Sequence, residues 1–344
     1  MDLKARDQFL FNKQLNYFFD TKHIKESKIL NLEKKFRYID KTIYSPIKKK
    51  KIITINLTTY KKKITRNNDY LKPLDDLQIF LKENKLKDYF KFFLIHGSMA
   101  DKKYIQGWSD VDTFVVIKNS VLRSRKKILF LKKKISYLYK FFFKICALQH
   151  HGLIVFSEYD LKNYLNNFLP IAAIEKNINL LDNKKKLKVR VFPEVNKFLY
   201  EDIQDRLELL KIANRIGKYK HHPLNGKYLR SPLKKNRREM YQLFCHLGYM
   251  NTLPAYYLSC IGKSVNKSDS FKIFNKMFKN KKIKQLMLKS EKVRFMWQEQ
   301  QNNEIDNFII PSWVIDILGQ NYLKECILIL ECITKEIRLK NEKT

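Results

Sequence analysis

Two short groups of residues in this chain have the types and spacing for phosphate and metal chemistry. The stretch Phe92–Ile117 reads FFLIHGSMADKKYIQGWSDVDTFVVI. Its apolar opening, Phe92-Phe93-Leu94-Ile95, predicts a buried strand, and Gly97-Ser98 a turn after it. Eleven residues separate Ser98 from Asp110-Val111-Asp112, and Thr113–Ile117 predicts a second strand. A glycine at a strand-to-helix turn lets backbone approach a ligand, because no Cβ intervenes. Ser98 is placed to cap a following short helix, whose first N–H groups would favour an anion such as phosphate. On an extended strand Asp110 and Asp112 point to the same face, roughly 6.6–6.8 Å apart along it. Two such carboxylates repel, and each resists ionising unless a cation lies with them. The pair therefore implies a metal, with Mg²⁺ held by carboxylate and phosphate oxygens the best match.

Taken together, Gly97-Ser98, the spacer and Asp110-Val111-Asp112 resemble the signature of the DNA polymerase beta-like nucleotidyltransferases. Proteins of that superfamily move a nucleoside monophosphate from an NTP to a hydroxyl or phosphate on a small α/β core. The family pattern puts an apolar residue directly before the glycine. Here that place is taken by His96, and Ile95 is apolar one step earlier. The resemblance covers roughly residues 75–195. It implies a nucleotide-binding role for Gly97 and Ser98. It also implies a catalytic and metal-holding role for Asp110 and Asp112, a two-ion Mg²⁺ site, and an NTP substrate, ATP foremost.

The same resemblance implies a third carboxylate on the next strand, which the sequence predicts over Leu148–Phe156. The matching stretch carries Gln149, His150 and His151 instead. His151 is the candidate for the proton-accepting role, since imidazole titrates near neutrality. A hydrogen-bonded histidine pair at a strand end is the structural alternative. Glu158 and Asp160 are close by, but Ser157-x-x-Asp160 has the form of a helix capping box.

These residues need a scaffold. Helical patterns cover residues 1–45, with Phe9, Leu10, Phe11, Leu15, Phe18 and Phe19 dense enough to bury a face. Ile52–Ile55 has strand character. Residues 121–145 form a basic amphipathic pattern, read as a crossover helix whose lysine stems cover apolar surface. Lys188–Phe192 predicts a last strand. From about Lys197 the pattern is helical throughout, with stripes such as Leu199, Ile203, Leu207 and Leu210. The expected fold class is α+β: a mixed-sheet nucleotidyltransferase core at 75–195, a helical N-terminal leader at 1–74, and an all-helical C-terminal domain at 196–344. The leader either packs on the core or forms its own small lobe.

Composition limits the partners. The chain has 344 residues, long enough for two domains, and 44% are hydrophobic, as in a globular protein. No apolar run approaches the ~20 residues that span a bilayer, and Met1–Asp7 has no apolar signal core. The expected location is cytoplasmic. The net charge of +36 would attract nucleic acid, an anionic membrane or a nucleotide. Lysine is spread through every segment, however, and Asn, Ile and Phe are also abundant, as an AT-rich coding sequence would produce. Cys146, Cys245, Cys260, Cys326 and Cys332 form no Cys-x-x-Cys pair, so neither a zinc site nor a disulfide framework is indicated.

Three functions fit. The first is a nucleotidyltransferase acting on an unidentified acceptor: a protein, an RNA end or a small molecule. The second is a catalytically degenerate relative that binds nucleotide, prompted by the missing third acid. The third is RNA binding or cleavage through the basic C-terminal region. There Lys218, Lys220, His221, His222, Lys227 and Arg230 cluster, and Arg215 to His221 is similar to the Arg-x4–6-His motif of helical ribonuclease domains.

Overall fold

The apolar runs on either side of the Gly-Ser turn become the middle of the larger sheet. The computed structural model describes residues 3–20, 34, 51–60, 72–146, 149, 152–165, 169–181, 185–191, 197–216, 218–220, 228–230, 240–299 and 310–342. The chain divides into two compact units. One is Met1–Tyr104 with Ser109–Pro193; the other is Ile105–Trp108 with Glu194–Thr344.

The first unit is a small mixed α+β core with flanking helices. In chain order it contains α1 (Leu3–Asp20), β1 (Lys51–Asn56), α2 (Lys72–Glu83), β2 (Phe90–His96), the single turn α3 (Gly97–Ala100) and β3 (Asp112–Ile117). It continues with α4 (Asn119–Leu122), α5 (Arg125–Ile145), β4 (Val155–Ser157), β5 (Ile178–Asn179) and β6 (Lys186–Val191). The larger sheet has the order β4-β3-β2-β5. β2 runs antiparallel to β3 and β5, and β3 runs parallel to β4. That parallel pair needs a crossover, which α4 and α5 provide. Ser124 starts α5 by accepting a hydrogen bond from the Lys127 N–H, and Ile128, Leu131, Ile135, Leu138, Phe142 and Ile145 form its buried face.

Side-chain alternation in β2 and β3 feeds two cores, which is why both strands read as continuous apolar runs. Phe93, Ile95, Val115 and Ile117 face the helices, alongside Leu74 and Leu77 of α2 and Leu131 and Leu138 of α5. Phe92, Leu94, Phe114 and Val116 face the other way, against Ile55, Leu57, Leu187 and Val189. Those last four belong to a second layer, the two-stranded antiparallel ribbon β1–β6 and the residue that follows β1. The last predicted strand therefore pairs with β1 and not with the main sheet. The predicted third strand shortens to Val155–Ser157.

α1 joins this unit through a stripe of amides spaced four residues apart. The Gln8 and Asn12 amides donate to Asp160 Oδ1 at 2.8 and 3.0 Å. Asn16 accepts from the Val155 N–H at 2.7 Å and donates to the Val155 carbonyl at 2.9 Å. Its side chain thus takes the place of a neighbouring strand along β4, which ends the sheet and would otherwise leave backbone groups unpaired. Phe11, Leu15, Phe18 and Phe19 bury the apolar face of α1.

The second unit contains α6 (Lys197–Ile216), β7 (Lys218–Lys220), β8 (Tyr228–Arg230), α7 (Met240–Cys260), α8 (Lys267–Met277), α9 (Lys281–Glu299), α10 (Ser312–Leu318) and α11 (Tyr322–Asn341). The expectation of an all-helical domain is corrected here, because β7 and β8 form an antiparallel ladder with Tyr219 opposite Leu229. The helices bury Leu199, Ile203 and Leu210 of α6, Leu243, Phe244 and Leu247 of α7, and Ile329, Ile333 and Ile337 of α11. Trp108 packs here, edge-on to Phe244 and tilted against Trp297. His221, His222 and Lys227 lie outside the described residues. No helix among the described residues is long and apolar enough to cross a membrane.

Candidate functional site

β2 ends at His96, which pairs directly across the ladder with Asp112, the first residue of β3. Directly paired residues share a face of the sheet. The row Phe92/Val116 and Leu94/Phe114 therefore ends in a polar pair, His96/Asp112. The chain reverses immediately at Gly97, whose φ is +69°. A Cβ at this position would lie 2.1 Å from Asp112 Oδ2 and 3.0 Å from its Cγ. Glycine is required here twice over, for its backbone angle and for the carboxylate that occupies the space of a side chain.

The turn α3 starts earlier than a Ser98 cap implies. Its N-cap position is His96, which makes no side-chain capping bond, so Ser98 sits within the first turn and does not cap it. β2 runs on to His96, and the helix starts two residues earlier than a serine cap would allow. The turn closes through the Asp101 N–H to the Gly97 carbonyl (3.0 Å) and the Lys103 N–H to the Ser98 carbonyl (2.9 Å). Lys176 pairs with the Asp101 carboxylate at the foot of this turn, and Lys103 Nζ lies 3.7 Å from it.

β3 begins at Asp112, so Asp110 and Val111 precede the strand, which corrects the expectation that the whole triplet lies on it. The alternation nevertheless persists: Val111 is buried between half-buried Asp110 and Asp112. What holds Val111 extended is a side chain. The Val111 N–H donates to Gln149 Oε1 at 2.9 Å, and Gln149 Nε2 donates to the Val111 carbonyl at 3.3 Å. The buried amide of Gln149 thus acts as a one-residue strand beside the Asp-Val-Asp segment. The sequence shows Gln149 only as a non-acid where a carboxylate is expected, because an amide that pairs with backbone leaves no spacing pattern. The His96–Asp112 pairing is likewise hidden, since it depends on the register of two strands.

The nearby acids serve the scaffold. Glu158 accepts from the Asn119 N–H at 2.9 Å and pairs with Lys91 at 2.8 Å. Burial pushes its carboxyl up, but these hydrogen bonds and the Lys91 and Lys118 charges outweigh burial and leave it below its usual value. Asp160 accepts from the Ser157 N–H and hydroxyl, both at 2.7 Å, besides Gln8 and Asn12. This is the capping-box pattern in a turn without the helix. Burial still outweighs those bonds and raises the Asp160 carboxyl. His150 and His151 lie outside the described residues.

Among the described residues no three His, Cys, Asp or Glu side chains are grouped to hold a metal ion. Mg²⁺ is commonly bound by one or two carboxylates, with water and substrate phosphates completing its shell. The donor set of Asp110 and Asp112 fits an ion shared with a nucleotide, and it does not fit a cage made by protein alone. Comparison with known proteins returned no match to a family model, a curated protein or a solved structure.

Proposed function

We propose that this chain is a metal-dependent nucleotidyltransferase, moving a nucleoside monophosphate from an NTP to an acceptor. One observation carries the reading: the backbone of Gly97 lies against the Asp112 carboxylate, at a distance that leaves no room for a methyl group. That proximity supports reading a turn suited to phosphate and a carboxylate suited to a cation as parts of one site. Gly97 and Ser98 receive the triphosphate. Asp110 and Asp112 hold Mg²⁺, which when bound neutralises phosphate charge. In the transfer, an acceptor oxygen forms a bond to the α-phosphorus, the bond to pyrophosphate breaks, and the acceptor proton passes to a base, for which His151 is the candidate.

A second reading, nucleotide binding without turnover, is favoured by the strand parallel to β3. It carries Val155, Phe156 and Ser157 and no carboxylate. Incubation of the protein with each α-labelled NTP, Mg²⁺ and fractionated cell extract separates the two. Label in a fraction supports transfer and names the acceptor class. Thermal stabilisation by Mg²⁺–NTP with no labelled fraction supports the second reading, and no stabilisation by any NTP removes both.

A further inference from the structure

Lysine is spread evenly along the sequence, and the fold sets three cations in a row on one outward face. The ribbon β1–β6 turns Leu187, Val189 and Val191 inward and leaves Lys186, Lys188 and Arg190 exposed. Their register partners are Asn56, Thr54 and Ile52, which are also exposed. The outer face is thus a row of three cations beside three uncharged side chains, and neither strand contains an acidic residue.

None of the three cations is in a salt bridge with another described residue. The lysines of α5 differ. Lys132 donates to the Phe18 and Phe19 carbonyls, Lys134 to Asn84, and Lys140 and Lys144 lie over the Tyr137 and Phe141 rings. Much of the charge on α5 is engaged by its own fold, whereas that of the ribbon faces outward.

We propose that the outer face of β1–β6 binds the phosphodiester backbone of single-stranded RNA. Cations on alternate residues of one strand are roughly 6.6–6.8 Å apart, close to the phosphate repeat of an extended nucleic-acid strand. A row of this kind can meet successive phosphates, and Asn56 and Thr54 add hydrogen-bonding groups beside them. An anionic membrane is a poorer match, because among the described residues of this face Ile52 is the only apolar side chain to insert. The surface is separate from the Gly-Ser and Asp-Val-Asp residues, and the inference does not depend on nucleotide transfer.

The test compares two variants of equal charge in the full chain. One is Lys186→Gln, Lys188→Gln, Arg190→Gln. The other removes three exposed lysines of α5: Lys126→Gln, Lys127→Gln, Lys133→Gln. Binding of a labelled single-stranded RNA of mixed sequence is measured against salt. The ribbon variant should flatten the slope of log affinity against log salt by about 2, since each phosphate contact on a single strand contributes about 0.7. It should also weaken binding at low salt by roughly tenfold or more, with the α5 variant close to wild type. Photocrosslinking of the wild-type protein to thiouridine-substituted RNA should label residues 185–191. Equal losses in the two variants, an unchanged ribbon variant, or crosslinks confined to other segments would overturn the proposal. So would wild-type protein that binds phosphatidylserine vesicles but not the RNA.

Discussion

Gly97 and Asp112 occupy each other's space: the carboxylate Oδ2 lies 2.1 Å from where the Cβ of any other residue at position 97 would be. The turn after β2 and the start of β3 are therefore built as one feature. The pairing of His96 with Asp112 explains how, since the last ladder pair brings the turn onto the carboxylate.

Gly97→Ala should damage the site more than its size suggests. A side chain at φ +69° costs roughly 1–2 kcal/mol on backbone grounds alone, and the methyl would also displace Asp112. Gly262 offers a comparison, because its φ is +79° and nothing lies within 4 Å of its Cβ position. The expected outcome is loss of Mg²⁺–NTP thermal stabilisation in Gly97→Ala and retention in Gly262→Ala. Equal stabilisation in both would show that the Gly97–Asp112 contact is irrelevant to binding.

Gln149→Leu should leave the buried N–H and C=O of Val111 without their partner. An unsatisfied buried backbone group costs about 1–3 kcal/mol, so urea unfolding should show a loss of at least about 2 kcal/mol. A change within about 0.5 kcal/mol would mean that the Gln149 amide does not hold the Asp-Val-Asp segment.

Much of the local order around the site is legible in the sequence. Phe92–Ile95 and Thr113–Ile117 are apolar on both faces because each strand feeds two cores, and the turn between them is marked by Gly97. The ribbon is harder to read, since Ile52–Ile55 and Lys188–Val191 are far apart in the chain and neither names its partner. The role of α1 has a signal that is easily passed over: Gln8, Asn12 and Asn16 form an amide stripe at helical spacing beside the apolar face of Phe11, Leu15, Phe18 and Phe19. The short helix after β2 is signalled by Gly97-Ser98, but its start at Gly97 is not, because a helix of that length depends on the contacts at its ends.

The amide stripe of α1 should be structural. Asn16→Leu keeps bulk but removes both bonds to Val155, leaving β4 without its edge partner. A destabilisation of about 1–3 kcal/mol is expected in urea unfolding, with no change in the NTP concentration needed for half-maximal thermal stabilisation. A shift in that concentration without loss of stability would place α1 in the site instead.

Asp160 should give stability a pH dependence of recognisable sign. Its carboxyl is raised in the folded protein, chiefly by burial, from a usual value of 3.8. The folded state then holds the proton more tightly than the unfolded state does. Stability from this group is fully present below the unfolded value and falls as pH rises toward the folded one. Glu158, held below its usual value, works in the opposite direction and loses stability as pH falls. The difference between wild type and Asp160→Asn isolates the first effect. The wild type's advantage should shrink as pH rises above about 4, and an advantage that grows with rising pH would reverse the assignment.

The most direct measurement is label transfer by Asp110→Asn and Asp112→Asn beside wild type, with α-labelled NTP, Mg²⁺ and the acceptor fraction. Both changes keep size and hydrogen-bonding capacity while removing a negative charge from the place where a cation would be the largest local charge. Melting temperatures without nucleotide should stay near wild type, because the lost charges repel each other in the metal-free protein. Transfer should fall by orders of magnitude in each variant, and Mg²⁺–NTP stabilisation should shrink with it. Transfer at the wild-type rate by both variants would show that Asp110 and Asp112 are not the metal-holding pair.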